Sequence, residues 1–397
     1  MITPTFRLVD LCTFMTGGTP KSSVAEYYEY GDIPWIVSGD IHQKEIHDCA
    51  KRITKAGLEN SNAKLLPVNS VLIALNGQGK TRGTVALLRH PQATCNQSIV
   101  AMTPLDDAKL SPEYLYFYLK SQYKQIRNIT GDKDRAGLNI PLLKSITIPL
   151  PPLPIQKQIA ALLEKADTLR SQCKQMEQEL NQLAQSVFLE MFGDPATNPK
   201  SFPKIEISEF AEVKTGSTPS RRNEEFWNGT VRWVKTGEVS GGKITSTEET
   251  ISELALKKTN CKTFPINTIL LAMYGQGKTR GRVGILGVPA ATNQACAAIL
   301  PSENILPDFL FEYLKIQYQQ IRALGRGGNQ ENLNLSMVKS YPVLLPSMKQ
   351  QQSFIDIISS ISAQRKNCID EFIQFEALFN TLMQNAFSGK LNLTKAA

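Results

Sequence analysis

Residues 153–192 leave this chain few ways to fold. Ile155, Ile159, Leu162, Ala166, Leu169, Cys173, Met176, Leu180, Leu183 and Val187 recur in alternating steps of four and three. Gln, Glu, Lys and Ser fill the positions between them, the pattern of a heptad seam on one helix. Pro154 sits near the start, where a missing N–H costs little, and Gly193 follows the end. Such a helix would run roughly 50–60 Å at about 1.5 Å per residue. It cannot bury so narrow an apolar stripe by itself, so it needs a partner helix. The same chain supplies a candidate at Phe354, Ile358, Ile361, Arg365, Cys368, Phe372, Phe375, Phe379, Leu382 and Ala386, with one Arg in the stripe. Prolines precede both helices, at Pro151–Pro152 and Pro154 for the first and Pro346 for the second, and Phe192-Gly193 and Phe387-Ser388-Gly389 close them.

The duplication extends far beyond the helices. Pro67-Val68-Asn69-Ser70-Val71-Leu72-Ile73-Ala74 returns as Pro265-Ile266-Asn267-Thr268-Ile269-Leu270-Leu271-Ala272. Gly77-Gln78-Gly79-Lys80-Thr81-Arg82-Gly83 returns unchanged from Gly275 to Gly281. Thr16-Gly17-Gly18-Thr19-Pro20 pairs with Thr215-Gly216-Ser217-Thr218-Pro219, Trp35 with Trp233, and Asn96-Gln97 with Asn293-Gln294. The stretch from Tyr114 to Arg127 pairs with that from Phe309 to Arg322. The layout is module, long helix, module, long helix. The expected boundaries are 1–152 and 194–347 for the modules, 153–193 and 348–389 for the helices, and 390–397 for a tail.

Each module reads as mixed α and β, which makes the fold class α+β. Strands are expected at 68–75 and 84–89 around a glycine-rich loop, with a third at 98–102. One amphipathic helix is expected over 111–128, with Pro112 near its start, and a last strand over 144–150. At 397 residues, the chain has room for two or three domains. No apolar run approaches a membrane span, and the N-terminus does not begin a signal peptide. The seven cysteines show no paired spacing and read as buried free thiols, which suits a reducing cytoplasm. A net charge of +8 permits nucleic acid as a partner.

Gly-Gln-Gly-Lys-Thr invites comparison with a phosphate-binding P-loop, which needs G-x-x-x-x-G-K-[ST] between a strand and a helix. Here Ala74 and Ala272 stand where the first glycine belongs, and the β-branched sequence that follows reads as strand. A hairpin loop carrying Gln78, Lys80 and Arg82, and in the second copy Gln276, Lys278 and Arg280, suits phosphates and base edges. Trp35 and Trp233 read as core, and the side-chain amides of Asn96-Gln97 suit a structural role at least as well as base contact. His42, His47 and Cys49 have no counterpart in the other module and no evident fourth ligand. No Ser/His/Asp set, methyltransferase-like Asn-Pro-Pro-aromatic run or nuclease-like acidic cluster is present, which favours a binding protein.

These residues together resemble the specificity subunit of type I restriction–modification enzymes. The resemblance covers nearly the whole chain and rests on the two-module, two-helix layout, the paired glycine loops, the Asn-Gln pairs and the matching helix approaches and ends. It implies that each module is a target-recognition domain for one half of a split, asymmetric site on double-stranded DNA. It implies that the helices lie antiparallel as a spacer and dock methyltransferase subunits, with restriction subunits as further partners. It also implies a non-catalytic chain without cofactors of its own, S-adenosylmethionine, ATP and Mg²⁺ belonging to the partners. Positions shared by both copies should serve fold, phosphates or docking, and positions that differ can carry sequence readout. The readout candidates are Lys21, Ser22, Ser38, Asp40, Lys133, Asp134 and Arg135 in the first module. In the second they are Arg221, Arg222, Asn223, Lys235, Glu238, Arg326 and Asn329. The alternatives are a divergent nucleotide-binding enzyme using the Gly-Lys-Thr loops and a coiled-coil adaptor that does not touch DNA.

Overall fold

The structure is a computed structural model that describes residues 3–77, 79–129, 137–275, 277–325 and 332–391. It divides into two compact units, Met1–Lys174 with Ile369–Ala397, and Gln175–Cys368. Each unit therefore holds one module and a stretch of both long helices.

The centre of the first unit is a five-stranded sheet. Its strands run in the order Cys12–Thr16, Ile99–Pro104, Val71–Ala74, Val85–Leu88 and Glu45–Ile46, antiparallel except for the last pair. Val71–Ala74 and Val85–Leu88 are buried on both faces, so they read as continuous apolar runs and not as alternating ones. The period of two still sorts their side chains. Val71, Ile73, Val85, Leu87, Val100 and Met102 pack with the helices, whereas Leu72, Ala74, Ala86, Leu88 and Ala101 join a separate cluster with Ile36 and Ile41. In the second unit the order is Val213–Thr215, Cys296–Ile299, Ile269–Ala272, Val283–Leu286 and Lys243–Ile244, and the strands divide in the same way. A small three-stranded sheet accompanies each, built on Ile33–Ile36 and on Trp227–Val234.

Two local expectations need correction. The helix expected over 111–128 is two helices, Pro112–Ser121 and Tyr123–Asn128, with Gln122 between them at φ −90° and ψ 8°. Gln317 makes the same break in the second unit. The strand expected over 144–150 is a helix, Ile140–Ser145, followed by a short strand, Thr147–Pro149. Asn139 caps that helix by accepting from the Leu142 N–H at 3.0 Å, and Pro141 lies in its first turn.

The long helices are Leu153–Phe192 and Met348–Phe387. The second buries the expected side, with Phe354, Ile358, Ile361, Cys368, Phe379 and Ala386 all enclosed. The first is rotated from expectation at every second seam position. Ile159, Ala166, Cys173 and Leu180 are buried, but Leu162, Met176 and Leu183 are exposed and Leu163 is enclosed in place of Leu162. Arg170 explains the shift. It occupies the seam, pairs with Asp167 at 2.5 Å, and reaches Glu376 at 2.7 Å on the antiparallel second helix. In the second unit Arg365 donates to Asn181 Oδ1 at 3.0 Å in the equivalent place. A buried glutamine fastens each helix start to its module: Gln156 accepts from the Ser111 N–H at 3.0 Å, and Gln351 from the Leu306 N–H at 2.8 Å. Phe188, Phe192, Phe309, Tyr313 and Phe354 then form an aromatic cluster in the second unit.

Asp167 also pairs with Lys120 at 3.1 Å and Lys44 at 3.8 Å. Burial pushes its carboxyl up, but Lys120, Arg170 and Lys44 outweigh that and hold it below the ordinary carboxylate value. Burial pulls Lys120 below the ordinary ammonium value, and Asp167 offsets only part of that. All seven cysteines are free and buried. Among the described residues no helix is long and apolar enough to cross a membrane.

Candidate nucleic-acid interface

The strand order collects three loops at one end of each five-stranded sheet. In the first unit Thr16 ends its strand opposite Val100, and Ala74 ends its strand opposite Ile99. The Thr16–Pro20 loop, the glycine loop and the Asn96-Gln97 turn therefore meet there. Leu75 N donates to Ser98 O at 2.8 Å, and Leu138 N to Leu75 O at 3.0 Å. The second unit repeats this through Met273 N to Ala295 O at 2.8 Å and Leu333 N to Met273 O at 3.1 Å.

The described glycines of the loop take the same conformations in both copies. Gly77, Gly79 and Gly83 have φ of 137°, 61° and 83°, and Gly275, Gly277 and Gly281 have 143°, 62° and 85°. A Cβ on Gly79 or Gly277 would meet nothing within 4 Å, so the backbone conformation and not crowding selects glycine there. Gly83 N closes the loop on Ala74 O at 2.9 Å, and Gly281 N on Ala272 O at 2.8 Å. The chain then enters the strands Val85–Leu88 and Val283–Leu286. Among the described residues each loop's Lys-Thr leads into a strand and not into a helix, so the arrangement gives the nucleotide-binding alternative no support.

Lys80 and Lys278 stand exposed on these loops, and among the described residues neither forms an ion pair. Arg82 differs from expectation. Its loop turns it inward, leaving it only 8% exposed, so it does not share the tip with Lys80. Arg280 is half-buried with its Nε enclosed. Gln78, Gln276, Lys133, Asp134, Arg135, Arg326 and Asn329 lie outside the described residues.

Sequence reasoning missed the anchors behind the loops. Tyr123 OH donates to Lys80 O at 2.9 Å, and Arg127 Nη1 to Arg82 O at 3.3 Å. Tyr318 OH donates to Lys278 O at 2.9 Å, and Arg322 Nη1 to Arg280 O at 3.5 Å. The Tyr-x-x-x-Arg spacing in both copies, one helical turn apart, was the available signal. Asn96 and Asn293 cap their turns through Ser98 N and Ala295 N, each at 3.1 Å. Gln97 Oε1 accepts from Thr19 Oγ1 at 2.5 Å, and Gln294 Oε1 from Thr218 Oγ1 at 2.6 Å. Trp35 and Trp233 are core, with indole N–H groups donating to Gly18 O and Ser217 O. His42 bonds Thr81 Oγ1 at 3.0 Å.

The readout candidates fall into two sets. Asp40 and Glu238 accept from the Val37 and Lys235 N–H groups at 2.8 and 2.7 Å, holding their own turns. Arg221 lies 3.7 Å from the Trp227 ring and pairs with Glu249 at 2.8 Å, and Lys235 pairs with Glu248 at 2.6 Å. Lys21, Ser22 and Arg222 are exposed, and among the described residues neither of the two cations is ion-paired.

Paired loops at the end of two duplicated sheets, carried with two long helices, define a two-module recognition protein. A family model described as type I restriction modification DNA specificity domain matches residues 4–184 and again 199–371. The chain belongs to this family and carries two of its recognition domains. It is 23% identical to the type I restriction enzyme MjaIX specificity subunit of Methanocaldococcus jannaschii, over 98% of this chain and 93% of that protein. It is 29% identical to the EcoR124I/EcoR124II specificity subunit of Escherichia coli over 65% of each. The crystal structure of the type I restriction-modification S subunit from M. genitalium shares the fold, with a TM-score of 0.62 and 17% identity over 98% of this chain and 96% of that one. A structure concerning complex assembly and conformational transition of the type I system gives 0.59 at 14% identity over 98% of both chains.

Proposed function

We propose that this chain selects the DNA target of a type I restriction–modification complex, each unit reading one half of a split, asymmetric duplex site. The observation that carries the reading is the pair of glycine loops with matching glycine conformations, each presenting an exposed lysine at the same sheet end. A contact made identically by both units suits the phosphate backbone, which is the same everywhere. Lys21, Ser22 and Arg222 are exposed and differ between the copies, which supports a role for them in distinguishing bases. The chain itself is non-catalytic. Methyltransferase subunits dock along the long helices and restriction subunits join them. S-adenosylmethionine, ATP and Mg²⁺ belong to those partners, and the complex works in the cytoplasm. Genome-wide mapping of methylated adenines, with and without this chain, tests the proposal. A two-part asymmetric motif should vanish when the chain is deleted. An unchanged methylation pattern would overturn the reading.

A further inference from the structure

The two units differ in the charge of one cavity. In the first unit a cavity of about 830 Å³ lies between the glycine-loop strand, the Pro112–Ser121 helix and the long helices. Its cations Lys44, Lys120 and Arg170 are answered by Asp167, with Glu164 on Lys44 and Glu376 on Arg170. Asp167 lines the cavity, and Glu164 and Glu376 reach its cations from just outside the lining.

The equivalent cavity in the second unit, about 590 Å³, is lined by Lys278, Arg282, Lys315, Arg322 and Arg365 and by no carboxylate. Aligning the copies shows that the cations are equal in number, Lys44 giving way to Gly242 as Arg282 is gained, and that the carboxylates differ, three in the first unit against Glu312, at the place of Phe117, in the second. Asp167 and Glu164 become Ser362 and Ser359, Glu376 becomes Asn181, and Thr84 becomes Arg282. Among the described residues only Lys315 has a carboxylate partner, Glu312 at 2.8 Å. Like charges gathered around a concavity repel one another, and low-dielectric walls focus the field they produce. The first unit shows that the fold does not require this charge. The groove is also open at its backbone, since a Cβ on Gly241 or Gly277 would meet nothing within 4 Å.

We propose that this groove is a second phosphate-backbone site on the DNA, present in the second unit only, so that the second half-site carries the larger share of the salt-sensitive grip. The proposal rests on the reading of the glycine loops as DNA-facing. Lys278 belongs both to that loop and to the groove wall, so a backbone strand held at the loop leads into the groove. Arginine suits this role because its planar fork matches phosphate oxygens.

The test uses the complete methyltransferase–specificity complex, with equilibrium binding measured from 50 to 200 mM salt on duplexes with and without the target. Arg282→Thr installs the residue that the first unit carries at this position, and Arg282→Lys retains the charge. Arg282→Thr should lower the slope of log K against log salt by about 0.9 on both duplexes, because one counterion-releasing contact is lost. The wild-type loss of affinity across that range then shrinks about 3.5-fold. Arg282→Lys should keep the wild-type slope, and the methylated motif should stay the same in both. An unchanged slope in a normally assembled Arg282→Thr complex would overturn the proposal. So would weakened methyltransferase association with unchanged DNA slope, which would assign the groove to an acidic protein surface. Absence of salt-dependent DNA binding by the wild-type complex would instead defeat the underlying reading, and the groove site with it.

Discussion

Lys80 and Lys278 sit on loops whose carbonyls are held by a tyrosine hydroxyl and an arginine, so each exposed lysine is carried on backbone tied to a helix. Lys80→Ala and Lys278→Ala should each reduce the salt slope of DNA binding by about one and leave base preference intact. Sequence-dependent changes, seen as an altered methylation motif, would refute the phosphate assignment. The buried charge network gives a second residue-level prediction. Asp167→Asn leaves Lys120 and Arg170 short of a counter-charge and should cost about 3–5 kcal/mol in urea unfolding at neutral pH. Because the folded carboxyl titrates below its unfolded value, its contribution is complete above about pH 4 and is lost as pH falls through the folded value. The gap between wild type and variant should therefore close on acidification. At this scale the sequence revealed the repeated lysines, because identical residues in two copies need no structure to be noticed. It did not reveal which loop cation turns inward at Arg82, nor that Asp40 and Glu238 are engaged by backbone N–H groups three residues upstream.

The elements show why a hydrophobic reading alone set the first long helix in the wrong rotation. Leu162, Leu169, Met176 and Leu183 are the more apolar choices, yet the enclosed face carries Gln156 and Arg170, whose polar groups are satisfied inside the unit. Alignment with the second helix held the correct answer, since Gln156, Arg170 and Cys173 correspond to Gln351, Arg365 and Cys368. The sheet strands were legible because both-face burial makes short apolar runs bounded by turn residues. The break at Gln122 was not, because no proline or glycine marks it. The ends of the two long helices give an element-scale prediction. Gly193 has φ 78° and a Cβ there would lie 2.6 Å from Pro199 Cγ, whereas Gly389 has φ 72° with open space around it. Gly389→Ala should cost about 1 kcal/mol for the left-handed backbone, and Gly193→Ala clearly more because it adds a clash. Chemical denaturation of the two variants compares them directly.

For the whole molecule, the repeat makes recognition modular. Exchanging residues 201–345 for the equivalent module of a related protein should alter one half of the methylated motif and preserve the other. The incoming module must keep aromatic side chains at 309 and 313, because Phe309 and Tyr313 pack against Phe354 and Phe188 of the long helices. Changes in both halves of the motif would show that the two modules do not read independently.

The first compact unit is assembled from two separated segments, with the whole of the second, Gln175–Cys368, lying between them in sequence. On the ribosome this reverses the usual order, in which N-terminal domains finish first. Tyr114 and Phe117 lack their ring contacts to Phe387 and Phe379, and the first core lacks Met383, until those residues have been synthesised. The second unit already has all its parts by then. A nascent chain released after Cys368 should therefore carry a protease-resistant second unit and a protease-sensitive first one. The turns that follow Cys368 thus act as a stopper for a module encoded far upstream of them.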